Sequence, residues 1–172
     1  MNRILYIIAV ILVIGACKKQ APSIDPSVPL NDRIPGLWDV TKVEYTGSLP
    51  FGGGYLPFSG EGQNVSGYFQ FTKDPNWGEF QIGFVAVADI GLGTPLSYPV
   101  SEGHQGNWKA IDNDRYIRMW SDTIVNSEID SMYDWEVLHN TQNKQILKSS
   151  FVFDFGGQYD SIPVAVKATL ER

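Results

Sequence analysis

From residue 34 onward, apolar and polar residues alternate in short runs, each ended by turn-forming residues. That period of two predicts strands. Val65, Gly67, Phe69 and Phe71 alternate against Ser66, Tyr68, Gln70 and Thr72. Phe80, Ile82 and Phe84 open another run, and Tyr133, Trp135, Val137 and His139 a further one. Residues 147–155 and 162–170 complete the series with Phe151, Phe153, Val164 and Val166 on their apolar parity. In residues 36–46 the parity switches: Trp38 and Val40 share one face, Val43 and Tyr45 the other, so a bulge is expected at Thr41-Lys42. Residues 104–111 and 115–121 flank Asp112-Asn113-Asp114, which reads as a three-residue hairpin loop. Glycines with Pro95 and Pro99 reduce residues 96–100 to an edge strand at best. Asp74-Pro75-Asn76, residues 140–143 and Gly156-Gly157 mark turns. Eight strands and a weaker ninth, each joined to the next, predict an all-β fold: an antiparallel up-and-down barrel of about eight strands.

The amino-terminal pattern differs. Arg3 is followed by uncharged, mostly aliphatic residues 4–16, too short a run to span a bilayer, which takes about 20. It has the form of an export leader, and it ends Ile14-Gly15-Ala16-Cys17, similar to the bacterial lipobox, in which the cysteine is acylated and becomes the first mature residue. Cys17 is the only cysteine, so no internal disulfide accounts for it. Several acyl chains, each burying methylenes at ~0.8 kcal/mol apiece, would hold a water-soluble domain at a membrane. Residues 17–33 carry Pro22, Pro26 and Pro29 among polar residues and read as a tether reaching on the order of 20–50 Å. The expected organisation is therefore a signal peptide over 1–16, a lipidated tether over 17–33 and one domain over 34–172. No acidic run follows Cys17, which favours an outer-membrane anchor on the periplasmic side over surface display.

Charge narrows the partners. The formal net charge is −6, and loss of Arg3 with the leader makes it more negative. Nucleic acid needs a basic patch, which this chain lacks. Catalytic motifs are equally scarce. There is no Gly-x-Ser-x-Gly, no His-Glu-x-x-His and no thiol besides Cys17. His104 and His139 read as exposed turn residues, and Asp112 and Asp114 as a solvated hairpin tip without the spacing of a calcium loop. Asp134 and Glu136 are the nearest approach to a hydrolytic carboxylate pair. No cofactor, no metal and no enzymatic activity are expected.

Several motifs together resemble the bacterial lipocalin-like lipoprotein domains: Gly36-Leu37-Trp38 with Val40 to Val43 behind it, Gly67-Tyr68-Phe69-Gln70-Phe71, Gly106-Asn107-Trp108, and Trp135-Glu136-Val137-Leu138. The likeness covers about residues 34–172 and implies a barrel with a ligand cup. The Thr-Asp-Tyr motif of animal lipocalins is missing, and no last-strand arginine is placed to pack on Trp38.

Residues 46–64 form a long connection rich in glycine that carries Phe51, Tyr55 and Phe58. In the lipocalin-like arrangement it would cross the barrel mouth as a lid, although these aromatics would equally serve to plug the barrel end. A second candidate site is the middle hairpin. If Ile111 faces Arg115, then Trp108 lies opposite Arg118 and Ala110 opposite Tyr116, with Trp120 further along the same face. Such a cluster stacks on a sugar or flat ligand, or forms an internal structural pair. The leading expectation is binding of a small apolar or amphipathic ligand. The alternative is recognition of a partner protein or glycan through outward Trp77, Trp108 and Trp120. Asp122-Thr123-Ile124, Asp130-Ser131-Met132 and Asp160-Ser161-Ile162 also resemble an O-glycosylation pattern of some Gram-negative exporters.

Overall fold

A computed structural model describes residues 28–51, 53–88, 95–121, 124–125, 128–129, 132–153 and 162–172. The leader, Cys17, most of the tether, Gly156-Gly157 and the hydroxyl residues of the three Asp-Ser/Thr triplets lie outside the described residues. One helical turn, α1 (Leu30–Arg33), precedes eleven strands: β1 (Gly36–Phe51), β2 (Gly54–Glu61), β3 (Gln63–Phe71), β4 (Trp77–Ala88), β5 (Leu96–Ile111), β6 (Tyr116–Trp120), β7 (Ile124–Val125), β8 (Glu128–Ile129), β9 (Met132–Asn140), β10 (Lys144–Phe153) and β11 (Ile162–Glu171). Nine of them form one antiparallel sheet, and β1 also pairs with β11, so the sheet closes on itself. β2 and β3 run in line along β1, separated by Gly62, whose N–H donates to the Val43 carbonyl at 2.8 Å. They act as one bent strand, which makes eight staves in sequence order. Closure joins the first strand to the last, the solution expected of a chain of alternating strands. It leaves one-sided ladders only on parts of single strands, such as β5 before Asn107.

The alternation sets the interior. Phe69, Phe80, Ile82, Phe84, Trp108, Trp135, Phe151 and Val166 all point inward and are buried. The expected bulge lies where the parity switches, between Val40 and Lys42 on the ladder to β11. Curvature needs points where the backbone approaches its neighbour closely. At Gly67, with φ +134°, a Cβ would lie 2.0 Å from the Gln81 carbonyl oxygen, so only glycine fits.

Two elements differ from the expectation. Residues 46–64 are not a loop. β1 continues to Phe51 and β2 returns along it, with Gly47 facing Phe58 and Pro50 facing Tyr55. The glycines and prolines suggest a break, yet Pro50 and Pro57 stand exposed and Gly47 makes room for the Phe58 ring, 2.5 Å from where its Cβ would be. Residues 96–111 are likewise one strand. All of β5 up to Asn107 pairs with β4, but only Asn107–Ile111 also pairs with β6, so Pro99 sits where the ladder is one-sided.

The base of the barrel is closed. Leu30 and Ile34 are fully buried beneath it, although residues up to 33 read as tether. Trp38 Nε1 donates to the Ile34 carbonyl at 2.7 Å, and the Leu30 N–H donates to Asp114 Oδ2 at 2.9 Å. Arg33 donates to the Asn140 carbonyl at 3.0 Å. The Arg172 guanidinium lies 4.1 Å from the centre of the Trp38 ring and donates to the Pro35 and Gln142 carbonyls. This corrects the reading that no arginine is placed to pack on Trp38. Arg172 follows β11 directly, outside the strand itself.

Candidate functional site

The two sites anticipated from sequence fare differently. Tyr55 is 77% exposed on the outer wall, where it lines a shallow groove with Thr46, Ser48, Pro50 and Pro163. Phe58 is buried, its ring 6.3 Å from that of Tyr45. The side chain of Phe51 is outside the described residues. Phe58 therefore belongs to the core and Tyr55 to the surface. They do not form a joint lid.

The middle hairpin is shifted by one residue. Its turn spans residues 112–115, with Asp112, Asn113 and Asp114 all at positive φ, so Ile111 faces Tyr116 and Trp108 faces Met119. A one-residue slip exchanges the two faces. Trp108 points inward, 1% exposed, and donates from Nε1 to the Thr72 carbonyl at 2.8 Å. Arg118 points outward opposite Lys109 and Asp134. It forms a two-pronged ion pair with Asp134, at 2.7 and 2.6 Å. The expected Trp108–Arg118 pair does not exist. Tyr116 and Trp120 remain on the outside with Arg118, and Lys109 Nζ sits 5.4 Å from the Trp120 ring centre. Trp77, Asn107, Trp120 and Met132 share one outward row across four strands, so Trp77 and Trp120 lie on a common face and Trp108 does not.

A different place combines a cavity with chemistry. The ladder between β9 and β10 holds from Gln145–Asn140 to Lys148–Glu136, with an irregularity after Ile146, and then stops. By contrast, β10 stays paired with β11 along its whole length. Beyond the last β9–β10 pair the strands part, linked by a Ser149 hydroxyl that donates to the Asp134 carbonyl at 2.9 Å. β6 ends at Trp120 and β9 begins at Met132, so the wall is short where β5 and β10 continue. The opening is a cleft of about 630 Å³. Its inner lining is Glu102, Tyr133, Ser149 and Phe151, and its outer lining includes Asp134, Glu136, Lys148 and Val152.

Glu102 is the unusual member. It points inward from β5 between Val100 and His104, and burial alone pushes its carboxyl above the ordinary range. The Tyr133 hydroxyl is also pushed up, first by burial and then by the nearby Glu102 charge. The Tyr133 ring stands 5.0 Å from that of His104, 5.3 Å from Phe80 and 5.8 Å from Phe151. His104 thus lies mid-strand with its ring against the aromatic core, not in an exposed turn. The neighbouring Gly103 does not break the strand: it faces Gln81 in a continuous ladder. His139 is partly buried near the end of β9, its pKa lowered by burial and then by Lys144. The Trp135 Nε1, fully buried among Phe69, Phe80 and Phe151, has no hydrogen-bond acceptor among the described residues.

Asp134 and Glu136 both reach the cleft, from the outer face of β9. Both Asp134 oxygens accept hydrogen bonds from Arg118. Among the described residues no group of three or more His, Cys, Asp or Glu is arranged to hold a metal. No helix among them is long and apolar enough to cross a membrane. Glu102 and Tyr133 were not anticipated as site residues; the one legible signal was Glu102 sharing the inward parity of Val100 and Trp108. No protein-family model, curated protein or solved structure matches this chain.

Proposed function

We propose that this chain is a non-catalytic envelope lipoprotein, lipid-anchored through Cys17, whose lipocalin-like barrel binds a small amphipathic ligand. The observation that carries the binding role is the parted β9–β10 wall, a cleft of about 630 Å³ lined by both apolar and charged side chains. Ligand sites are concave and mostly apolar with a few placed polar groups, and a cleft of this size lies within their usual range. Phe151, Tyr133 and Val152 offer apolar surface, while Glu102, Glu136 and Lys148 offer charge at different depths. The Arg172–Trp38 stack at the base adds to the lipocalin likeness.

The test uses full-length protein extracted from membranes. An uncharged fluorescent amphiphile such as N-phenylnaphthylamine should bind with micromolar affinity, and Ser150→Trp, which places a large ring in the cleft from an exposed position, should abolish that binding without unfolding the protein. Unchanged binding in Ser150→Trp, or none in the wild type, overturns the reading. Anchoring is tested separately: Cys17→Ser should leave the membrane fraction, and its full retention there would remove the lipid anchor from the proposal. A second reading, recognition of a glycan or partner protein, rests on the outward row of Trp77 and Trp120. Loss of glycan or partner binding in Trp120→Ala, with amphiphile binding intact, would favour it.

A further inference from the structure

Resting on the cleft as a ligand site, we infer that it is selective for the head group it admits: an amphipathic amine, whose ammonium sits against Glu102 at the border of the Tyr133 and Phe151 ring pair. The depth of the lining charges sorts them. Asp134 is neutralised by the two-pronged Arg118 pair, and Glu136 lies on the outer face across the last rung of the ladder from Lys148. That leaves Glu102, the innermost carboxylate, with no cation in ion-pair range among the described residues. A partly buried, uncompensated carboxylate destabilises the fold unless a counter-charge arrives. A carboxylate or sulfate head group would repel it.

The aromatic walls suit the same cation. The Tyr133 and Phe151 rings are 5.8 Å apart at 41°, neighbouring faces at the inner end of the cleft. Ring faces attract ammonium groups, more strongly as water is excluded. The apolar tail of the ligand would lie along Val152 and Met132, the two large hydrophobic residues exposed at the cleft, 64% and 51% respectively. Burying them with a tail removes apolar area from water, which favours binding.

Three probes with one tail isolate the head group: octylammonium, octanol and octanoate, titrated against the full-length protein with displacement of the fluorescent amphiphile as the readout. Octylammonium should bind about tenfold more tightly than octanol, and octanoate more weakly than either. In Glu102→Gln the ratio of octylammonium to octanol affinity should fall to about one, and Glu102→Asp should restore part of it. An undiminished preference in Glu102→Gln, or octanoate as the tightest ligand, overturns the amine assignment and leaves the cleft reading standing. Failure of all three probes overturns both. A thermal midpoint for Glu102→Gln at or above that of the wild type shows that the variant is folded.

Discussion

The base of the barrel and the β9–β10 cleft are built from the same kinds of residue and reach opposite results. At the base, Trp38 is fully buried, its N–H reaches the Ile34 carbonyl, and Arg172 covers its face while donating to the Pro35 and Gln142 carbonyls. Arg33 joins them by donating to the Asn140 carbonyl. At the cleft the ladder stops after Lys148–Glu136, a serine hydroxyl takes the place of a backbone rung, and Glu102 is drawn inward without a cation. One end is arranged for stability. The other keeps a carboxylate without a counter-charge among the described residues, and this is what the proposed ligand would supply.

The sharpest way to test that contrast is to damage the base. Trp38→Ala deletes a buried indole, its hydrogen bond and the arginine stack together. Truncations of this kind cost about 3–5 kcal/mol. Thermal unfolding should therefore drop by ~10 °C or more in a chain of this size. A fall of only one or two degrees would mean that the base is not where stability resides, and the comparison would collapse.

Damage at the cleft should act with the opposite sign. The raised Glu102 carboxyl means that folding favours its protonated form, since burial penalises the charge. The sign follows from linkage: a carboxyl raised on folding costs nothing below its unfolded pKa, and its penalty grows as pH rises towards the folded value and persists above it. Glu102→Gln removes that penalty. The variant should melt a few degrees higher than the wild type at neutral pH, with the difference closing as the solution is acidified through the carboxylate range. Differential scanning calorimetry across that range decides it. A constant difference at every pH would trace to packing instead of charge.

Much of the architecture was legible because alternation is a local property. The inward parity of Phe69, Phe80, Trp135, Phe151 and Val166, and the bulge at Thr41-Lys42, follow from residues a few positions apart. What escaped depends on register and on distance along the chain. The hairpin at 112–115 holds one more residue in its turn than Asp-Asn-Asp suggests, and that single step moved Trp108 inside and Arg118 outside. The cleft exists because two ladders end early, which no one strand announces. Arg172 and Trp38 are separated by nearly the whole described domain, and barrel closure alone brings them together.

The smallest effect expected is also the one that separates the cleft from the rim. Tyr55 was anticipated as part of a lid, yet it is 77% exposed on the outer side of the β1–β2 hairpin, and its backbone is held by the ladder to Pro50. Tyr55→Ala should change stability by no more than about 0.5 kcal/mol, as surface substitutions do. Phe58→Ala, three residues on, should cost ~3 kcal/mol because its ring fills the space over Gly47 and packs on Tyr45. Amphiphile affinity in Tyr55→Ala should match that of the wild type within error, measured by the same displacement titration. Should Tyr55→Ala instead weaken binding severalfold, the ligand enters over the β1–β2 hairpin, and the short β9–β10 ladder is an irregularity of the wall and not its doorway.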